Sequence, residues 1–229
     1  RFAVAPFRIA RYPVTWRQFQ AFLDADDGFD DPRWWTDLVP AAVRPQNRYP
    51  QFSNHPVSRV SWFDAIAFCR WLSVRLATER PAGWEIRLPL EWEWQLAACG
   101  GDASREYPWG PWSENRANTA DSGLGRIIAV GLYPRGTWHD GAGPGPLDLA
   151  GEVLEWCANH HNLVVDAQGS QGDESQRALR GGSWRIDRDL ARCTARLGDH
   201  PRGRYPSVGF RLCCAPPLTA ASFSSLPLE

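Results

Sequence analysis

Apolar residues fall into a helical rhythm early in the chain. Trp16, Phe19, Phe22 and Leu23 recur at the spacing that lines one face of an α-helix. Thr15 precedes them and Gln18 stands three residues on, a capping box in which each side chain satisfies a free backbone N–H. Asp26, Asp27 and Gly28 are expected to end this helix. A second helix is expected after Ser61, with Asp64 completing the same cap and Ala65, Phe68, Cys69, Leu72 and Leu76 as its stripe. Between the two, residues 29–58 are rich in Pro, Asp, Arg and aromatic side chains and show no period. They predict long irregular structure in which Trp34, Trp35, Tyr49 and Phe52 still need packing partners. Residues 86–88 predict a short strand. Pro89 suits the first turn of a third helix over 90–98, which Gly100 and Gly101 stop.

Beyond residue 100 the texture changes. Gly, Pro and Trp recur in short stretches, and strands are expected at 147–149, 153–157, 178–180 and 209–212. Neither a repeat nor a linker-like tract interrupts the chain. The pattern predicts one α+β domain over 1–214, with two main helices early and much loop late. The tail, 215–229, is rich in Ser, Pro and Leu and reads as either a mobile end or a strap.

Composition narrows the function. The 229 residues carry 25 basic and 26 acidic side chains, a net charge of -1. That balance argues against a generic nucleic-acid binder or a polybasic membrane binder. Hydrophobic content of 43% against 22% charged fits a folded globular chain. There is no apolar run of about 18 residues that would span a bilayer. Every basic residue is Arg and there are 13 Trp. Codon bias accounts for most of the missing Lys, while Arg forks and Trp rings suggest a core stitched by guanidinium and aromatic contacts. The six cysteines form no C-x-x-C pair, so neither a zinc framework nor a disulfide scaffold is expected. Reduced, buried thiols in a cytoplasmic setting are expected instead. The chain starts at Arg1 rather than Met, which suggests a fragment or a processed form.

Several phrases then stand out. They are Asn54-His55-Pro56-Val57-Ser58-Arg59-Val60-Ser61-Trp62, Arg87-Leu88-Pro89-Leu90-Glu91-Trp92-Glu93-Trp94, Tyr107-Pro108-Trp109-Gly110 and Ala117-Asn118-Thr119. Further on come Asp148-Leu149-Ala150-Gly151-Glu152-Val153-Leu154-Glu155-Trp156, Arg180-Gly181-Gly182-Ser183-Trp184 and Gly209-Phe210-Arg211. In this order the set resembles the formylglycine-generating enzyme/sulfatase-modifying factor domain, from about Tyr12 to Leu212. The resemblance implies a C-type-lectin-like fold: two main helices, small antiparallel sheets and many irregular loops. It does not name one function, because formylglycine-forming oxidases, the C-terminal half of sulfoxide synthases, and binding proteins diversified by retroelements share it.

The resemblance also implies how an oxidase member would hold copper, through two cysteines soon after the Gly-Gly-Ser motif, soft ligands suited to Cu(I). Here the first of those positions is Ile186 and the second is missing; Cys193 falls at a later, non-catalytic position. Formylglycine synthesis is therefore not expected, and the chain reads as lacking enzymatic activity. The sulfoxide-synthase alternative needs iron held by His, usually from a separate helical domain. His55, His139, His160, His161 and His200 include no H-x-x-x-H pair.

The binding-protein reading accounts for the stretch between Gly182 and Gly209. Ser183, Trp184, Arg192, Arg196, Pro201, Arg204, Gly209, Phe210 and Arg211 act as posts. Between them lie Arg185, Ile186, Asp187, Asp189, Leu197, Gly198, Asp199, His200, Tyr205 and Ser207. In the retroelement-diversified class, variation arises by replacing adenines of Asn codons. Such codons yield residues of all these types and cannot yield Trp, Lys, Glu, Gln or Met, none of which occurs between the posts. Together with Trp184, these residues are the candidate ligand contacts: Tyr205 gives rigid amphipathic area, Arg and Asp give charge-assisted bonds, and Gly and Ser adapt. The partner is expected to be a protein or other macromolecule, neither nucleic acid nor membrane. Arg180, Arg192, Arg196 and Arg211 are expected to satisfy loop carbonyls, and Trp156 and Trp184 to lie in the core. No cofactor is required on this reading. The resemblance further implies a structural Ca²⁺ near Asn118, Asp121 and Glu152, residues whose oxygens suit that ion.

Overall fold

A computed structural model describes residues 4–39, 43–48, 50–140, 143–162 and 174–219. Three helices are present: α1 (Trp16–Asp24), α2 (Trp62–Arg75) and α3 (Glu91–Cys99). Both expected capping boxes form, Thr15 with Gln18 and Ser61 with Asp64. Helix α1 ends at Asp24, short of the acidic run. The chain folds back so tightly there that a Cβ on Gly28 would lie 2.0 Å from the Phe22 carbonyl oxygen. Leu90 is the N-cap of α3, which places Pro89 outside it, and Gly100 closes it in the left-handed conformation at φ 58°.

The strands are short. In chain order they are β1 (Arg8–Ile9), β2 (Glu85–Arg87), β3 (His139–Asp140), β4 (Gly143–Pro144), β5 (Leu154–His160), β6 (Arg177–Arg180), β7 (Leu197–Asp199), β8 (Val208–Gly209) and β9 (Cys213–Ala215). They form a three-stranded sheet in the order β1-β9-β2, a two-stranded ribbon β3-β4, and a four-stranded sheet β7-β6-β5-β8 in which only the β5–β8 pairing is parallel. The architecture is α+β, few helices and small sheets joined by long loops. No helix among the described residues is long and apolar enough to cross a membrane.

Two expected strands are redistributed. Residues 147–149 form a turn: Asp148 takes φ 58°, which no strand permits, and Arg211 binds the Leu147 and Asp148 carbonyls at 3.0 and 3.2 Å. The stretch 209–212 leaves one sheet at Gly209 and reaches the other at Cys213, so that Phe210 enters the core between them. The strand β9 runs through Ala215, paired with Glu85, one residue beyond the expected domain end. Arg87 holds the Pro216 carbonyl at 3.3 Å; residues 220–229 of the tail lie outside the described residues.

The main core packs α1 on α2. Phe19 stacks on Phe68 at 5.5 Å, and Phe22, Trp71 and Phe210 meet the pair at edge-on or tilted angles. Indole N–H groups lock α2 to the larger sheet: Trp62 donates to the Cys157 carbonyl and Trp156 to that of Val60, at 2.8 and 3.1 Å. Among the described cysteines all are free, and all but Cys214 are buried.

Candidate functional site

The segment after β6 begins with Gly181 and Gly182, at φ 98° and 69°. A Cβ on Gly182 would come within 2.9 Å of Ala191, so this turn needs glycine for space as well as for conformation. The Trp184 N–H then donates to the Glu152 carbonyl at 3.1 Å and the Ile186 carbonyl accepts from Ala120 at 3.0 Å. These bonds leave Trp184 half-buried and Arg185 exposed, with the guanidinium 5.3 Å from the centre of the indole ring. Trp156 is in the core as expected; Trp184 is not. It lines the edge of a cleft of about 800 Å³.

Two further segments complete that cleft. One contains Arg48, Phe52, His55 and Arg59; the other contains Arg126 and Ile128. The first is fixed along the start of α1, where Trp16 N–H donates to the His55 carbonyl at 2.9 Å and Val57 N–H to that of Val14 at 2.8 Å. Arg59 adopts φ 60° and its N–H donates to the Tyr205 carbonyl at 3.0 Å. A non-glycine residue held in this left-handed region costs of order 1–2 kcal/mol. The second wall is pinned by carboxylates: Ile128 N–H donates to Glu152 and Gly131 N–H to Asp148, both at 2.7 Å. Burial pushes the Asp148 carboxyl up to about 6 and that of Glu152 up to about 8. Burial and the nearby Arg126 charge lower the His55 pKa, favouring its neutral form.

The remaining expected contacts divide by position. Ile186 is half-buried against the core. Asp187 precedes a 3-10 turn (Arg188–Ala191), and Asp189 is exposed and ion-paired to Arg192 at 2.8 Å. Leu197, Gly198 and Asp199 form β7. A Cβ on Gly198 would meet the His161 ring at 2.3 Å, so this position is closed by packing rather than open to a partner. His200 and Tyr205 are exposed, and the Tyr205 hydroxyl reaches Asp199 at 3.3 Å. Ser207 is half-buried, its carbonyl accepting the Leu154 N–H. Trp184 and Arg185 thus line the cleft directly. Tyr205 abuts it through the backbone of Arg59, and Asp199 joins Tyr205.

Three of the four expected scaffold arginines satisfy backbone carbonyls. Arg180 reaches those of Cys193 and Thr194, Arg196 that of His161, and Arg211 those of Ala10, Leu147 and Asp148. Arg192 is the exception: among the described residues its guanidinium binds the carboxylates of Glu106 and Asp189 at the surface.

Asn118 and Glu152 do meet, but the Asn118 amide N–H₂ donates to the Glu152 carboxyl at 2.8 Å and to the Arg126 carbonyl at 2.9 Å. Asp121 instead accepts the Arg188 N–H at 2.8 Å. Donors thus occupy both Glu152 oxygens, and this arrangement does not fit Ca²⁺, which needs oxygens turned toward it. Among the described residues no three His, Cys, Asp or Glu gather to hold a metal ion, and no cysteine lines the cleft. A two-thiolate copper site does not fit these residues.

The sequence reading found one wall of the cleft and missed the other two. A signal was there to read. No acidic residue occurs between Asp37 and Asp64, or between Asp121 and Asp140, while both intervals contain arginines.

The family model described as the sulfatase-modifying factor enzyme 1-like domain matches residues 1–216. The chain belongs to this family. A hercynine oxygenase of Mycolicibacterium thermoresistibile is 31% identical over 91% of this chain and 51% of its own length. The formylglycine-generating enzyme of Mus musculus is 29% identical over 82% of this chain and 52% of its own length. The chain therefore spans about half the length of these curated relatives. Among solved structures, Treponema denticola variable protein 1 superposes with a TM-score of 0.62 at 23% identity, covering 92% of this chain and 84% of that one. This likeness establishes the C-type-lectin-like fold. The inference that the chain lacks enzymatic activity is corrected by the two relatives that bear enzyme names. Its flaw is chemical: a missing cysteine pair removes one copper site and leaves other chemistries of the family untouched.

Proposed function

We propose that this chain is a ligand-binding domain of the retroelement-diversified type, with recognition residues supplied by 184–207. The observation that carries this reading is the position of Trp184 and Arg185 on an 800 Å³ cleft of the size that takes a ligand. The fold is also one that a protein titled a variable protein uses. Scaffold and display are separated physically. Arg180, Arg196 and Arg211 are tied into the framework, while Arg185, Asp187, His200 and Tyr205 project from it.

Two tests bear on this. Genomic DNA beside the coding sequence is expected to hold a reverse transcriptase and an adenine-substituted copy of the stretch encoding 183–212; finding neither defeats the diversified version. Replacing Arg185 and Tyr205 together is expected to abolish capture of the cognate partner with the melting temperature unchanged.

A second reading, a copper- or iron-dependent oxidase, is favoured by the identity to a hercynine oxygenase. Fe(II) and Cu(I) titration in the presence of a thiol substrate separates the two. Stoichiometric metal uptake with turnover establishes the oxidase.

A further inference from the structure

Taking the binding role proposed above as given, we infer that the cleft is a receptor for an acidic peptide segment, held by Arg48, Arg59, Arg126 and Arg185. All four line the cleft, and no Asp or Glu lines it. None of the four has a carboxylate partner among the described residues. Elsewhere the surface shows both states: Arg33, Arg75, Arg192 and Arg202 hold carboxylates, while Arg8, Arg17 and Arg135 form no ion pair among the described residues. What sets the cleft apart is that four such arginines gather on one concavity with no acidic side chain among its lining residues. With a net charge of -1 over the whole molecule, the positive cleft is a local arrangement rather than a consequence of composition.

Guanidinium groups present forked donors matched to carboxylate oxygens, and they stay charged at any pH the protein meets. Four cations around one concavity reinforce one another's field on an entering anion. The cleft is far larger than one oxyanion needs, since a water occupies about 30 Å³; its size calls for an extended ligand bearing several carboxylates.

The aromatic side chains favour a peptide over single-stranded nucleic acid, which depends on ring faces open for base stacking. Here Arg185 covers Trp184, Phe52 stacks on His55 at 4.7 Å, and Trp16 is only 6% exposed. Of these rings only Phe52 is open, 44% exposed with one face against His55, and a single ring does not make the series of platforms that successive bases need.

The test uses the full chain and a capped Glu-Ala repeat peptide, with its Gln-Ala counterpart and oligothymidylate as comparisons, in titration calorimetry at low salt. The Glu-Ala peptide is expected to bind, and the Gln-Ala peptide to bind at least tenfold more weakly. Affinity should fall as salt rises. Arg48→Gln and Arg126→Gln, both at exposed positions, are each expected to weaken binding about tenfold without shifting the melting temperature. Equal binding of the two peptides, tighter binding of oligothymidylate, or no effect of either substitution overturns the acidic-peptide assignment. If an uncharged partner is captured through Arg185 and Tyr205 while the Glu-Ala peptide is ignored, that assignment falls and the binding role stands.

Discussion

Arg59 concentrates local cost and local use in one residue. Its left-handed backbone is stabilised by the bond to Tyr205, and its side chain lies on the cleft. Glycine adopts that conformation without the Cβ penalty. Arg59→Gly is therefore expected to leave stability unchanged or raise it by up to about 1 kcal/mol, while ligand affinity falls. Denaturant unfolding and calorimetry measure the two sides. Asp148 and Glu152 behave differently. Both have folded pKa values raised by burial, to about 6 and about 8. The folded state then holds protons that the unfolded chain has released, so stability is greatest below about pH 4 for these groups and declines as pH rises through 6 and 8. Thermal midpoints from acid to mildly alkaline pH should show this slope. Glu152→Gln should flatten its upper part, because the amide still accepts a hydrogen bond but carries no titrating proton.

At the level of the element, β7 shows that a sequence position between scaffold posts is not automatically a free position. Gly198 pairs with Ala178 of β6 and lies under the His161 ring. Gly198→Leu is expected to cost about 1–3 kcal/mol through overpacking. Tyr205→Ala, at an exposed site, should change stability by less than about 0.5 kcal/mol and reduce binding. Comparing the two melting curves checks which members of the segment display and which support. The capping boxes illustrate the opposite case. Their partners are three residues apart, so local chemistry alone decides them, and both helices start where Thr15 and Ser61 place them.

Across the whole molecule, a buried ionic network ties distant segments together. Arg211 binds both oxygens of Glu155, at 2.6 and 2.7 Å, and the carbonyls of Ala10 and Leu147, segments far apart along the chain; Trp94 donates to the same carboxylate. Arg196 and Glu91 pair in the same two-pronged way across residues 105 apart in sequence. Removing one member strands the other in a medium that cannot solvate it. Glu155→Ala is expected to destabilise the fold by about 3–5 kcal/mol, read from the denaturation midpoint. This network ties a loop-rich framework together across segments far apart in sequence.

Much of the framework was legible in the chain because its signals are local or cumulative. Capping pairs, apolar stripes and the ordered family motifs predicted the helices, the α+β class and the C-type-lectin-like fold. The strands at 147–149 and 209–212 were misread because short apolar runs do not disclose where a chain must turn, and that turn depends on Arg211, some sixty residues from the first of them in sequence. Nor did the chain disclose which of its arginines pair. All are the same letter, yet Arg211 is buried on Glu155 and Arg126 faces an open cleft. Sequence alone determined the inventory of charges and the scaffold that carries them. Only the tertiary structure decided which charges neutralise one another and which line a cleft without a carboxylate partner, because that depends on distances between segments far apart along the chain.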